Sequence, residues 1–303
     1  MKAILTIITV CMLIQPIFGQ DVMIVSEALN KYQNLRDFCM SAEGDEAYFT
    51  IQSPNQDLSQ IVCVKNNEWH QPTLLSFCDG YTYLEPFLSA DGKRLYFVSD
   101  RPKNTTDSTK SDFDIWYVER KSKSSQWSVP INMGPLINSA NDEFYPTLSD
   151  NGNLYFTMDA KTGMGKDDIY CSKFNGKEYA PPVLLNNHIN SSGYEFNAFI
   201  SKDESYIIYT KYNTDDGFGS GDLYIAKKDA QGEWKDSENM GEHINTKYME
   251  YCPFYHSQTH TLYFTSRRSK LVAQKFKDVD SYLQTITGTE NGLSKIYKIK
   301  INF

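Results

Sequence analysis

The stretch EPFLSADGKRLYFVSD, Glu85 to Asp100, decides the fold. Two short apolar runs, PFLS and LYFVS, flank the dipeptide Asp91-Gly92. Asp-Gly readily takes the positive backbone angles of a tight hairpin turn, so the stretch reads as two antiparallel strands. The pattern recurs. Aligned on its serine and the aromatic pair that follows, the copies are SAEGDEAYF (41–49), SADGKRLYF (89–97), SDNGNLYF (149–156), SKDESYIIY (201–209) and HSQTHTLYF (256–264). Their starts are 48, 60, 52 and 55 residues apart. Self-similarity at such a period signals a solenoid, a propeller or an array.

Three further signals keep step with the repeat. A strand opening with an acid follows in the middle copies, DIWYV (114–118), DIYCS (168–172) and DLYIA (222–226); QIVCV (60–64) and KIYKI (295–299) stand at the ends. An aromatic residue precedes a proline by three in Trp69/Pro72, Trp127/Pro130 and Tyr179/Pro182, and Trp234 continues the series. An Ile-Asn pair then lies five residues before an acidic slot: Asn138 before Glu143, Asn190 before Glu195, Asn245 before Glu250. Each unit thus reads as a meander of four strands, a to d. A lone four-stranded sheet with two apolar faces needs neighbours on both sides, and radial packing supplies them.

The expected fold is all-β, a five-bladed β-propeller of four-stranded antiparallel blades. The fifth copy ends at KIYKIKINF without a strand d. The beginning, DVMIVSEALNKYQNLRDF, has the form of a strand d and its exit loop, so Val22–Val25 is expected to complete the last blade and close the ring. The units run over about 31–75, 79–133, 139–185, 191–240 and 246–303 plus 22–25, within one domain over 20–303. The 27 residues between Arg267 and Lys295 are too few for a sixth blade and read as a long b–c insertion.

Residues 1–19 have the order of a secretory signal peptide: Lys2, the apolar AILTIITVCMLIQPIF, then the small Gly19. Periplasmic or secreted localisation follows as an expectation. Its removal takes one of the 30 basic residues and none of the 38 acidic ones. The acidic balance argues against nucleic acid and anionic lipid as partners. No other segment is apolar over a membrane-spanning length. Cys39, Cys63, Cys78, Cys171 and Cys252 match neither zinc spacing nor a disulfide framework, and read as buried thiols. His70, His188, His243, His256 and His260 do not cluster, so no metal is expected. No P-loop, GxGxxG or GxSxG element is present, and no cofactor is expected.

The segments YPTLSDNGNLYFT, WSVPINMGPLINSANDE and GKDDIY resemble the TolB-type, WD-repeat-like propeller units of bacterial cell-envelope proteins, especially those of Bacteroidota. The resemblance covers the chain after residue 19. The middle three copies match best; copy one has Leu35 in the acidic slot and Phe38 in the proline slot, and copy five has His256 for the serine. It implies a fold. A propeller is a platform for many activities, so it implies little about function.

In an up-and-down meander the d–a and b–c loops share one face. The b–c connections are long there: 101–111, 160–167, 213–221 and 268–294. Long loops on a rigid scaffold commonly carry recognition. Glu143, Glu195 and Glu250 open strand a on that face, at the mouth of the central channel; Tyr83 fills the slot in copy two, with Glu85 close by. Arg101 and Arg268 follow strand b at equivalent places. These seven are the candidate ligand-binding residues, for a cation, an amine or sugar hydroxyls. A catalytic carboxylate pair is an alternative. A third reading is architectural: each glutamate accepts N–H bonds from its d–a loop. Asp114, Asp168 and Asp222 recur at one blade position and are expected to serve the b–c loop, with Arg101 and Arg268 as their partners. The leading expectation is a monomeric, non-catalytic scaffold that binds an envelope protein or a cell-wall or extracellular glycan; the alternative is a glycosidase-like enzyme.

Overall fold

The computed structural model describes residues 21–103 and 111–303. The expected signal peptide, and Cys11 with it, lies outside the described residues. Five four-stranded antiparallel sheets form five blades. Strands a to c of successive blades are Asn34–Met40, Glu46–Gln52 and Ser59–Lys65; Tyr83–Leu88, Arg94–Ser99 and Asp114–Glu119; Glu143–Leu148, Leu154–Met158 and Asp168–Ser172; Glu195–Ile200, Tyr206–Tyr212 and Gly221–Lys227; Glu250–His256, Thr261–Ser266 and Lys295–Lys300. Strand d is two residues long in every blade. Strand b is buried on both faces because each sheet packs between two others: Leu95, Phe97, Leu154, Phe156, Leu262 and Phe264 on one face are 0% exposed, and Tyr96, Tyr155 and Tyr263 on the other are buried too.

The fifth blade takes its strand d, Met23–Ile24, from the start of the described chain. Met23 pairs with Lys298 and Ile24 with Tyr297, and Val25 N–H donates to Ile296 O at 2.9 Å. Lys295 occupies the position that Asp114, Asp168 and Asp222 hold in the middle blades. Its buried ammonium donates to Asn30 O, at 3.3 Å, and to Tyr32 O. Burial lowers its pKa to about 8.

The repeated residues have local jobs. The turn serine of the opening stretch accepts N–H bonds from the residues starting strand b: Ser89 Oγ from Arg94 N at 2.9 Å, Ser201 Oγ from Tyr206 N at 3.0 Å. In copy five His256 holds the place with its ring, its Nε2 lying 3.0 Å from Ala42 O of blade one. The repeated asparagine clamps strand c of the preceding blade. Asn138 amide accepts from Ile115 N and donates to Ile115 O, both 2.9 Å; Asn190 and Asn245 do the same to Ile169 and Leu223.

Strand a is the free inner edge of each sheet, and it is bulged. The register with strand b slips by one residue in all five blades. The first residue inside the bulge has a positive φ each time: Asp37 63°, Glu85 58°, Tyr145 53°, Asn197 51° and Cys252 52°. Proline follows in three blades, Pro86, Pro146 and Pro253. Such an edge bulge is one of the few strand positions that tolerates a missing N–H.

The insertion between Ser266 and Lys295 contains a helix, Val279–Thr287, which the repeat reading treated only as a long loop. Asp278 and Ser281 cap it reciprocally, and none of its residues is buried. Among the described residues no helix is long and apolar enough to cross a membrane.

Candidate functional site

The slot glutamates are buried and face their own d–a turns. Glu143 accepts from Ser139 N at 3.0 Å and Ser139 Oγ at 2.6 Å. Glu195 accepts from Ser191 N at 2.8 Å and Oγ at 2.6 Å, and Glu250 from Thr246 N at 2.7 Å and Oγ1 at 2.9 Å. Burial raises all three pKa values, that of Glu143 to about 7. Replacing Glu195 by alanine strands two donors of its loop; a loss of about 2 kcal/mol is expected, read as a lower urea midpoint at pH 7. An unchanged midpoint would show that the turn does not depend on the carboxylate.

The strand-c acids turn into the b–c loops. Asp168 Oδ2 accepts from Met164 N at 2.8 Å and Gly165 N at 3.0 Å; Asp222 Oδ2 accepts from Phe218 N at 2.5 Å. A Cβ on Gly165 or Gly219 would collide with carbonyl oxygens of the following d–a loop, so the Gly-x-Gly spacing lets the two loops touch. Gly219→Ala is expected to cost at least about 2 kcal/mol, measured by urea unfolding, and a parental midpoint would refute the close packing.

The arginines do not pair with these aspartates. Arg101 donates to Tyr83 Oη at 3.1 Å and lies over the Trp116 ring. Arg268 donates to Ser266 Oγ and Ile244 O, lies over the Tyr297 ring, and stands 3.6 Å from Glu250. Both turn inward toward strand a, whereas the aspartates turn outward into their loops. Asp114 meets Lys103, at 3.1 Å, and Asn132 instead.

The channel is crossed by the five bulge residues, which lie two places beyond the acidic slots. Arg36 Nε donates to Asp37 Oδ1 at 2.6 Å, and its Nη2 to Glu85 Oε1 at 2.7 Å. Glu85 Oε2 accepts from Tyr145 N at 2.7 Å, and Asp37 Oδ2 from Glu85 N at 3.2 Å. Cys252 Sγ lies 2.8 Å from Asp37 Oδ1, and Tyr145 Oη donates to Pro253 O at 3.0 Å. One guanidinium serves two buried carboxyls. Burial pushes Glu85 up to about 8, against the opposing pull of Arg36. Of the seven candidates, only Glu85 belongs to this plug. Sequence reasoning concentrated on the slot where one residue type repeats; the signal it passed over is a symmetric position carrying five different side chains.

The plug separates two concavities. Toward the long loops lies a cavity of about 240 Å³ lined by Arg36, Glu85, Asp167, Asn197 and Arg267 among others. Toward the a–b turns a funnel of about 1380 Å³ opens. No grouping of His, Cys, Asp or Glu suited to a metal occurs among the described residues.

No family model and no curated protein matches the sequence. Solved structures do match the fold. One is BT0996 in an RGII complex (TM-score 0.58, 9% identity, covering 93% of the present protein and 91% of that one). Another is an α-L-arabinofuranosidase from Podospora anserina in complex with cellotriose (TM-score 0.54, 10% identity, 94% and 95%). TolB from Acinetobacter baumannii is also matched (TM-score 0.49, 10% identity, 89% of the present protein), with 55% of its own length covered. At such identities the likeness concerns the fold alone.

Proposed function

We propose that this protein is an exported, non-catalytic propeller that binds an envelope protein or a cell-wall glycan. One observation carries the reading: Asp37, Glu85 and the three slot glutamates are engaged by donors of the protein itself. They are groups that hold a scaffold together. A rigid ring with a concavity at each end of a plugged channel suits recognition.

A glycoside-cleaving enzyme is the second reading. It is favoured by Glu85, an acid whose pKa burial raises to about 8, at the wall of the 240 Å³ cavity, with the Asp37 carboxyl adjoining. A panel of aryl glycosides, including an α-L-arabinofuranoside, separates the two. No release of the aryl group above the protein-free rate is expected, together with positive signals in a glycan-array or envelope pull-down screen. Turnover that disappears in Glu85→Gln would overturn the scaffold reading.

A further inference from the structure

We infer that the cavity of about 240 Å³ on the long-loop face binds a small zwitterion, an amino acid or dipeptide with a free ammonium, a free carboxylate and an apolar body; this rests on the reading of the protein as a binding scaffold.

The walls differ around the ring. Arg267 follows strand b of blade five and reaches toward blade one, its Nη2 donating to Gln56 Oε1 at 3.4 Å. Its Nε donates to Ser294 Oγ at 3.2 Å, and its guanidinium lies 5.8 Å from the centre of the Tyr251 ring. No carboxylate among the described residues pairs with it. Arg36 lies over the same ring, but Asp37 and Glu85 already use its charge. Asp167 stands just before strand c of blade three. In a ring of five, blade three faces the junction of blades five and one, so Arg267 and Asp167 line the cavity from opposite sides. The groups acting on Asp167 include no cation. Burial, and then Asp159, Asp168 and Asp142, raise its pKa to about 6. An ammonium docked beside it would relieve that repulsion.

Between these walls the lining is apolar: Phe144, Phe196 and Met249, all half-buried. The neutral polar groups are committed. Thr157 Oγ1 accepts from Asn197 N at 3.1 Å, and Asn197 Nδ2 donates to Glu85 Oε1 at 3.5 Å. Two unpaired charges of opposite sign remain. A neutral sugar would displace water from both and pair with neither. A simple anion would meet Arg267 but also Asp167, and a simple cation would meet the reverse. A ligand carrying both charges, held apart, satisfies each wall. The volume lies below the roughly 300–1,000 Å³ of drug-sized sites, on the scale of one or two amino acids.

The test is isothermal titration calorimetry at pH 7.5 with phenylalanine and with alanyl-phenylalanine, each beside its N-acetyl and its amide form. At least one zwitterion is expected to bind with a Kd at or below about 1 mM, and the tighter of the two reports the span between the walls. Loss of either charge, by acetylation or amidation, should weaken binding about tenfold or more. Arg267→Gln should weaken the zwitterion similarly and abolish the preference for the acid over the amide, leaving the penalty for acetylation. Asp167→Asn should do the converse. A merely structural role would not exchange the two preferences in this way, and unchanged melting curves verify that both variants fold. The inference is overturned if neither zwitterion binds, if an acetylated or amidated form binds as tightly, or if both substitutions leave affinity unchanged. Failure of the titration beside a positive glycan-array or envelope screen leaves the scaffold reading standing. Glycoside turnover would instead remove the scaffold reading.

Discussion

Deleting residues 21–26 is expected to lower the unfolding free energy by roughly 4–6 kcal/mol. The deletion removes the pairing of Met23 and Ile24 with Lys298 and Tyr297, the Val25 N–H bond to Ile296 O, and the acceptor of Lys298 Nζ, Val25 O. It uncovers the surface that Val25, itself buried, now shields. Each aliphatic burial is worth about 1.5–3 kcal/mol and each hydrogen bond about 1 kcal/mol. Blade five then ends in an unpaired strand c, Lys295–Lys300, an exposed edge that invites association between molecules. The melting temperature should fall by about 10 °C or more. Leu29→Ala, at a site of 0% exposure just after the strand, is the milder companion, expected to cost about 2–4 kcal/mol. A truncated protein that melts like its parent would mean that the ring does not depend on its closure.

A second large effect concerns pH. The folded-state pKa of Glu85 is raised to about 8 and that of Glu143 to about 7, in both cases by burial. An unfolded glutamate titrates near 4.3. Between roughly pH 4.5 and pH 8 the folded protein therefore holds protons that the unfolded one has released, and stability falls as pH rises through that window. Lys295 acts in the opposite sense and later. Its pKa is lowered to about 8 when folded, so from about pH 8 to about pH 10.4 the unfolded state holds the extra proton and stability recovers. A stability minimum near pH 8 is the expected result, on the order of 3 kcal/mol below the value at pH 5. Denaturant titrations at one-unit pH intervals measure it. Glu85→Gln should flatten the descending limb, and Lys295→Met the ascending one. A profile that rises from pH 5 to pH 8 would mean that Glu85 is ionised in the ring, fully paired with Arg36.

Much of the fold was legible because propellers repeat their local chemistry. The turn serine, the clamping asparagine and the bulge proline each solve a backbone hydrogen-bonding problem that every blade poses, so each returns at a fixed place. Ring closure was legible from a missing strand at one end of the sequence and a spare one at the other. The helix Val279–Thr287 was not, because it occurs once and buries nothing, although its Asp278-x-x-Ser281 cap stands in the sequence. The channel is the instructive miss. Glu143, Glu195 and Glu250 attracted notice through recurrence, and they sit against their own loops. Asp37, Tyr145, Asn197 and Cys252 share no chemistry along the sequence; only the bulge, a property of backbone register, brings them together with Glu85. The expected partnership of Arg101 and Arg268 with the strand-c aspartates failed for a related reason. Spacing tells which residues are near, and side-chain direction tells which of them meet.

Because residues 23 and 24 pair with residues 298 and 297, the last sheet cannot form until residue 298 has been synthesised. The strands of the other four blades all lie between residues 34 and 239 and are made before it. Until the latch partner emerges, the nascent polypeptide stays an open arc whose first-made segment has no strand to pair with.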